Sequence, residues 1–200
     1  MTPASVAPPA PLVLASSSRF RQALLRRLGL EFTAVSPDVD ERALDGETPE
    51  AQARRLAEAK ARRIAPEHPE ALIIGSDQVA VLDGRRVGKP GSHAAAVAQL
   101  TAASGRTMEF HTALCLLNAA KNRLQADVVT CSVTFRRLDA EQIASYLQRE
   151  QPYDCAGAFK SESLGIALME RLEGPDPTAL IGLPLMRLTR MLEAEGVEVL

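Results

Sequence analysis

Lysine is scarce in this 200-residue chain: four of its 23 basic residues are lysine and the others are arginine. Cysteine is scarce too. Cys115, Cys131 and Cys155 form an odd set with no Cys-x-x-Cys pair, which argues against a disulfide framework and suits a reducing, cytoplasmic setting. The three histidines do not cluster with them, so structural zinc has no ligand set. Charge of one sign is not in excess. A formal net charge of −2 and a pI near 6.0 argue against a nucleic-acid coat or a polybasic membrane anchor, so any anion site has to be built by local placement. No apolar run approaches the ~20 residues of a membrane span. The first eleven residues lack a basic n-region and are broken by prolines, so they read as a disordered or extended tail and not as a secretory signal. Also absent are the phosphate-loop, dinucleotide-fingerprint, nucleophile-elbow and zincin motifs.

What is present reads as one domain over 12–200, or two small lobes around one cleft. Leu12 to Ala15 is a short buried strand, Ser16-Ser17-Ser18 turns the chain, and a helix follows that Gly29 ends. A second strand spans Glu31 to Ser36. Thr48 and Pro49 open a helix as N-cap and first-turn residue, and Pro66 and Pro69 close it. Leu72 to Leu82 is strand-like, with Asp83-Gly84 as a hairpin turn. Ser92 opens an Ala-rich helix, two β-type runs cover 107–117 and 126–136, and Asp139 with Gln142 forms a capping box for a helix to Arg149. Residues 164–173 read as a strand, and Pro184 opens a final amphipathic helix with Leu185, Leu188, Met191 and Leu192 inward. Hairpins interrupt strict βαβ alternation, which points to a mixed α/β sheet. The acidic stretch Asp38 to Glu47 lacks clear periodicity and reads as a loop over the cleft.

The scarce lysines stand at telling places. Lys60 shares a helical face with Ala53, Leu56, Ala57, Ala61 and Ile64, so it points inward and needs an anionic partner, or else snorkels at the edge of the stripe. Lys89 and Lys160 sit in loop segments, where functional side chains concentrate. Asp77 interrupts an apolar strand; a carboxylate there can hold a divalent cation or activate water, unless it faces solvent from an edge strand. Gly75 beside it marks a bulge or a close backbone approach. The serine turn feeding the first helix offers hydroxyls and free amides to an anion, and Arg21 in the first turn opposes the helix dipole unless an anion compensates it. The bland alternative is a well-capped helix with a solvated arginine.

These segments together resemble the Maf-like nucleoside triphosphate pyrophosphatases. The resemblance lies in Leu14 to Leu25 (LASSSRFRQALL), Val39-Asp40-Glu41, Leu56 to Ala61, Ile74 to Val79 (IGSDQV), Gly88-Lys89-Pro90 and Gly182 to Leu185, in order and over nearly the whole chain. Tyr153 to Glu162 and Leu172 to Leu185 are similar to the branch acting on 7-methyl-GTP. One departure is Arg19, where the family usually has proline before the aromatic position.

The resemblance implies a mixed, strongly bent sheet flanked by helices, with two lobes around a central cleft. It implies hydrolysis of a nucleoside triphosphate to monophosphate and diphosphate, with a divalent cation (Mg²⁺ or Mn²⁺) and a homodimer. Asp77 is then the expected general base and, with Glu41, a metal carboxylate. Ser16, Ser18, Arg21, Lys60, Lys89 and Lys160 are expected to hold phosphate. Phe20, Gln78 and Glu162 are expected to select the base: Phe20 can stack on a cationic methylated purine and Glu162 can pair with its Watson–Crick edge. Two rival expectations remain: a dTTP, UTP or CTP pyrophosphatase of the same family, and a non-catalytic nucleotide-binding regulator of division.

Overall fold

The computed structural model describes residues 10–200. Most of the expected N-terminal tail, residues 1–9, lies outside the described residues. Pro11 is held in place, its carbonyl accepting a hydrogen bond from Leu72 N at 2.8 Å. The chain begins with β1 (Leu12–Ala15), α1 (Arg19–Arg26) and β2 (Thr33–Val35), the last shorter than the sequence suggests. Helix α2 (Pro49–Ile64) starts as expected, with the Thr48 hydroxyl accepting from Ala51 N. Strands β3 (Leu72–Leu82) and β4 (Arg85–Val87) form the hairpin, and Asp83 and Gly84 both take positive φ at its turn. Ser92 caps α3 (His93–Ala103). Strands β5 (Thr107–Asn118) and β6 (Arg123–Phe135) follow, and β6 begins three residues earlier than the β-type run. The capping box at Asp139 and Gln142 is complete at the start of α4 (Ala140–Glu150).

Residues 164–173 do not form a single strand. Leu164–Leu168 turns as a 3₁₀ helix and only Met169–Glu173 is strand β7. Gly165 packs directly on the Lys160 peptide and donates to its carbonyl at 3.1 Å, which an extended chain would not allow. The short helix α5 (Pro177–Ile181) is an addition to the sequence reading. Asp176 caps it, and helix α6 (Leu185–Glu193) buries the four expected apolar residues.

The strands form a mixed seven-stranded sheet with order β2-β1-β3-β5-β6-β7, and β4 pairs with β3. The β1–β2 and β1–β3 pairs are parallel and the other pairs antiparallel. Helix α2 covers one face through Ala53, Ala57, Ala61 and Ile64 against Ile73, Val79, Val81 and Cys115. The opposite side carries two clusters. One joins α1 and α6 to Leu12, Leu14, Leu72 and Ile74, and the other gathers α3, α4 and α5 around Phe110, Val133 and Phe135.

Strand β3 is the axis of this arrangement. Strand β5 follows one of its edges from Leu72 to Leu82. On the other edge β1 pairs only with Leu72–Ile74 and β4 only with Ala80–Leu82. The intervening backbone, Gly75 to Val79, has neither strand beside it. This gap contains Asp77.

Candidate active site

Alternation along β3 sends successive side chains to opposite faces. Ser76 and Gln78 point toward α5: Ser76 donates to the carbonyls of Ala113 and Gly182, and Gln78 Nε2 donates to Thr112 Oγ1 and to the carbonyls of Ala179 and Leu180. Asp77 points the other way, toward α2. Gly75 makes this approach possible, because a Cβ there would overlap the Ala57 carbonyl oxygen and lie 2.9 Å from Cys115 Sγ. The sequence expectation of a close backbone approach is met by the helix itself.

Asp77 is only 7% exposed although one edge of β3 is unpaired there, so the alternative of a carboxylate facing solvent fails. Its Oδ1 is 2.5 Å from Lys60 Nζ, and the same ammonium is 2.6 Å from Glu41 Oε1. Lys60 is itself 6% exposed, which removes the snorkelling alternative as well. Burial pushes the Asp77 carboxyl above its ordinary pKa; Lys60 and Arg21 pull it down and Glu41 pushes it up, and burial prevails. Glu41 is half-exposed. Partial burial raises its pKa, but the Lys60 hydrogen bond and the charges of Lys60, Lys89 and Arg21 outweigh this and hold it low.

Around this trio lies a cavity of about 750 Å³, a size typical of small-molecule sites. The serine turn forms one wall. Ser16 is buried and its hydroxyl accepts from Ser18 N at 3.1 Å, while Ser18 caps α1 by accepting from Arg21 N. Arg21 donates through Nε to the Gly182 carbonyl at 2.8 Å and reaches Ser16 Oγ at 3.5 Å. Desolvation lowers its pKa, partly countered by Asp77 and Glu41. Phe20 lines the same wall with the Arg19 guanidinium 4.8 Å from its ring centroid, and Arg19 also meets Asp154 at 3.6 Å. Lys89, Gln78, Ser161 and Glu162 complete the lining relevant to the sequence expectations. Cys155 lines the cavity too, but burial and then Asp154 push its thiol up to about 12, so it does not offer a thiolate near neutral pH.

One expected phosphate ligand is not brought there. Lys160 does not line the cavity; its Nζ is 2.5 Å from Glu150 Oε1 at the end of α4. The reason is the path of residues 159–162. Phe159 is buried against Phe135 and Phe110, which turns Lys160 back toward α4 and presents Ser161 and Glu162 to the cavity. Lys160 therefore anchors the segment that carries Glu162. The sequence reading also missed Gln52 and Arg86. Both line the cavity, and Gln52 was legible as the residue two helical turns before Lys60 on the same face of α2.

The two carboxylates Glu41 and Asp77 converge on one ammonium, so their oxygens are within a few ångströms of each other. Magnesium-type ions are commonly held by one or two carboxylates together with substrate phosphates, and this donor set suits that mode. Among the described residues no group of three or more His, Cys, Asp or Glu converges to hold a metal without a substrate.

The Maf-like protein family model matches residues 11–195. The chain belongs to the Maf family. Among similar relatives is a protein of Methylobacillus flagellatus named 7-methyl-GTP pyrophosphatase, 57% identical over 190 residues that cover 95% of this chain and 99% of the relative. A protein of the same name from Thiobacillus denitrificans is 58% identical over 94% of each chain. Another from Nitrosococcus oceani is 55% identical over 98% of each. The match to the Maf family thus takes in every segment that lines the cavity, from the serine turn to Gly182.

Proposed function

We propose that this Maf-family chain hydrolyses 7-methyl-GTP between its α- and β-phosphates, releasing 7-methyl-GMP and pyrophosphate. The observation that carries the reading is Asp77: a buried carboxylate with a raised pKa, at the gap in the sheet, beside a cavity edged by Arg21, Lys60 and Lys89. A general base works best with a pKa moved toward the operating pH, and burial moves Asp77 in that direction. Asp77 takes the proton of the attacking water, the water oxygen bonds to the α-phosphorus, and the bond to the bridging oxygen breaks with the electron pair leaving on pyrophosphate. Ser16, Ser18, Arg21 and Lys89 orient the phosphates, and Lys60 balances the charge of the two carboxylates while adding its own positive field. A divalent cation held by Glu41 and Asp77 would offset phosphate charge and acidify a bound water.

For base choice, the Phe20 ring already accepts one cation, the Arg19 guanidinium. A methylated purine carrying delocalised positive charge suits the same surface. Glu162 is exposed at the cavity wall and supplies an acceptor for the guanine edge. Gln78 has its amide nitrogen committed to the backbone of α5, so its carbonyl oxygen is the end left to a ligand. The names of the relatives agree with this choice.

The test is pyrophosphate release over a panel of 7-methyl-GTP, GTP, dTTP, UTP and CTP, with Mg²⁺ or Mn²⁺ and with chelator. The reading expects 7-methyl-GTP to lead the panel, chelator to stop turnover, and Glu162→Gln to lower the 7-methyl-GTP to dTTP ratio by about tenfold, the worth of one good charged hydrogen bond. A lead for dTTP, UTP or CTP would transfer the reaction to another substrate, and no turnover of any nucleotide would leave a binding protein.

A further inference from the structure

We propose that Arg86 is a phosphate-contacting cation of this cavity and that Gln52 is the residue that positions it; the inference rests on the triphosphate reading above but is tested apart from it. Arg86 lies on β4 opposite Val81 of β3. Paired residues in antiparallel strands share a face, so alternation from Val81 through Val79 places Arg86 on the same side of the sheet as Asp77. Arg85, one residue earlier, faces the other way and does not line the cavity, whereas Arg86 does.

The guanidinium is fixed from behind. Its Nε donates to Gln52 Oε1 at 2.7 Å and its Nη2 to the Glu47 carbonyl. Nη1 has no protein partner among the described residues. Gln52 is 8% exposed on the apolar face of α2, where folding alone favours Leu or Ala. Both ends of its amide are used: Oε1 accepts from Arg86, and Nε2 donates to the Glu41 carbonyl at 3.3 Å. One buried side chain thus holds the arginine and the backbone of the residue whose carboxylate meets Lys60. A fork-shaped donor held in one orientation loses little freedom on gripping an oxyanion, unlike a free surface lysine. Arg86 supplies from β4 the charge that Lys160 does not bring, beside Lys89 three residues further along the chain.

The probe is inorganic tripolyphosphate, titrated calorimetrically into the metal-free protein, with thermal unfolding as the check on folding. Arg86→Ala is expected to weaken binding at least about tenfold and Arg86→Lys to restore part of it, since a lone ammonium lacks the fork. Gln52→Leu is expected to weaken binding by itself and to lose most of that effect in the Arg86→Ala background, which a general structural role would not produce. Binding by Arg86→Ala within twofold of wild type, an undiminished Gln52→Leu effect in that background, or no binding by the wild type would each overturn the proposal. A wild type that binds tripolyphosphate through Arg86 but turns over no nucleotide would remove the hydrolytic reading and leave this one standing.

Discussion

Lys60 and Asp77 are each nine-tenths buried, and neither is tolerable without the other. An unpaired buried charge costs several kcal/mol, roughly, and is avoided by pairing or by neutralisation. Here the pairing is shared, because Glu41 reaches the same ammonium from the half-exposed side. The sharing sets the signs of two substitutions. Lys60 lowers the Asp77 pKa, so Lys60→Met raises it further. Glu41 raises it, so Glu41→Gln lowers it. Activity that requires ionised Asp77 grows as pH rises through that pKa, so its acid limb should move to higher pH in the first variant and to lower pH in the second. Carboxyl NMR titration of the metal-free proteins reads the same shifts without turnover. Shifts in the same direction would mean that the trio is not coupled as its geometry indicates. The inward lysine and the misplaced aspartate were both legible in the sequence, since each breaks an apolar pattern. Their partnership was not, because the two lie on different elements and no periodicity connects them.

At the scale of elements, the site depends on how closely α2 approaches β3. Gly75 sets that distance, since the Ala57 carbonyl occupies the space of a Cβ. Gly75→Ala should therefore lower stability by about 3 kcal/mol, at the upper end of overpacking costs, because the obstacle is backbone that cannot rotate away. Chemical denaturation would show it, and a loss below 1 kcal/mol would mean that the helix yields more easily than its packing implies. Helix starts were the most legible part of the chain: Thr48, Ser92 and Asp139 all cap as read, because a cap is a local hydrogen bond between residues three apart. Helix α5 was not legible. Its five residues are too few to show a period, and its stability comes from Asp176, which is 2% exposed and accepts from Thr178 N, Thr178 Oγ1 and Met186 N. The 164–173 segment misled for a related reason: its apolar residues suit a strand, but Gly165 is pinned to the Lys160 carbonyl by tertiary packing.

At the scale of the whole molecule, the cavity is a meeting of distant segments. The serine turn, the acidic loop, α2, the β3 gap, the β4 hairpin and the 154–162 segment all contribute to its walls. Its charge is nearly balanced, with Arg19, Arg21, Lys60, Arg86 and Lys89 against Glu41, Asp77, Asp154 and Glu162. This agrees with a chain of net charge −2 that places its cations instead of accumulating them. Scarcity of lysine pointed to Lys60 and Lys89, and both line the cavity. It pointed equally to Lys160, which pairs instead with Glu150, ten residues away on another element. It could not mark Arg86, one arginine among many. Among the described residues no helix is long and apolar enough to cross a membrane.

The proposed reaction is attack of water on the α-phosphorus with Asp77 as base. Hydrolysis of 7-methyl-GTP in ¹⁸O-labelled water, followed by mass analysis of both products, tests it most directly. One ¹⁸O is expected in 7-methyl-GMP and none in pyrophosphate, with the rate in Asp77→Asn lower by about a thousandfold while the protein stays folded, in keeping with loss of a general base. Label in pyrophosphate or orthophosphate, or an Asp77→Asn variant as active as the wild type, would contradict it.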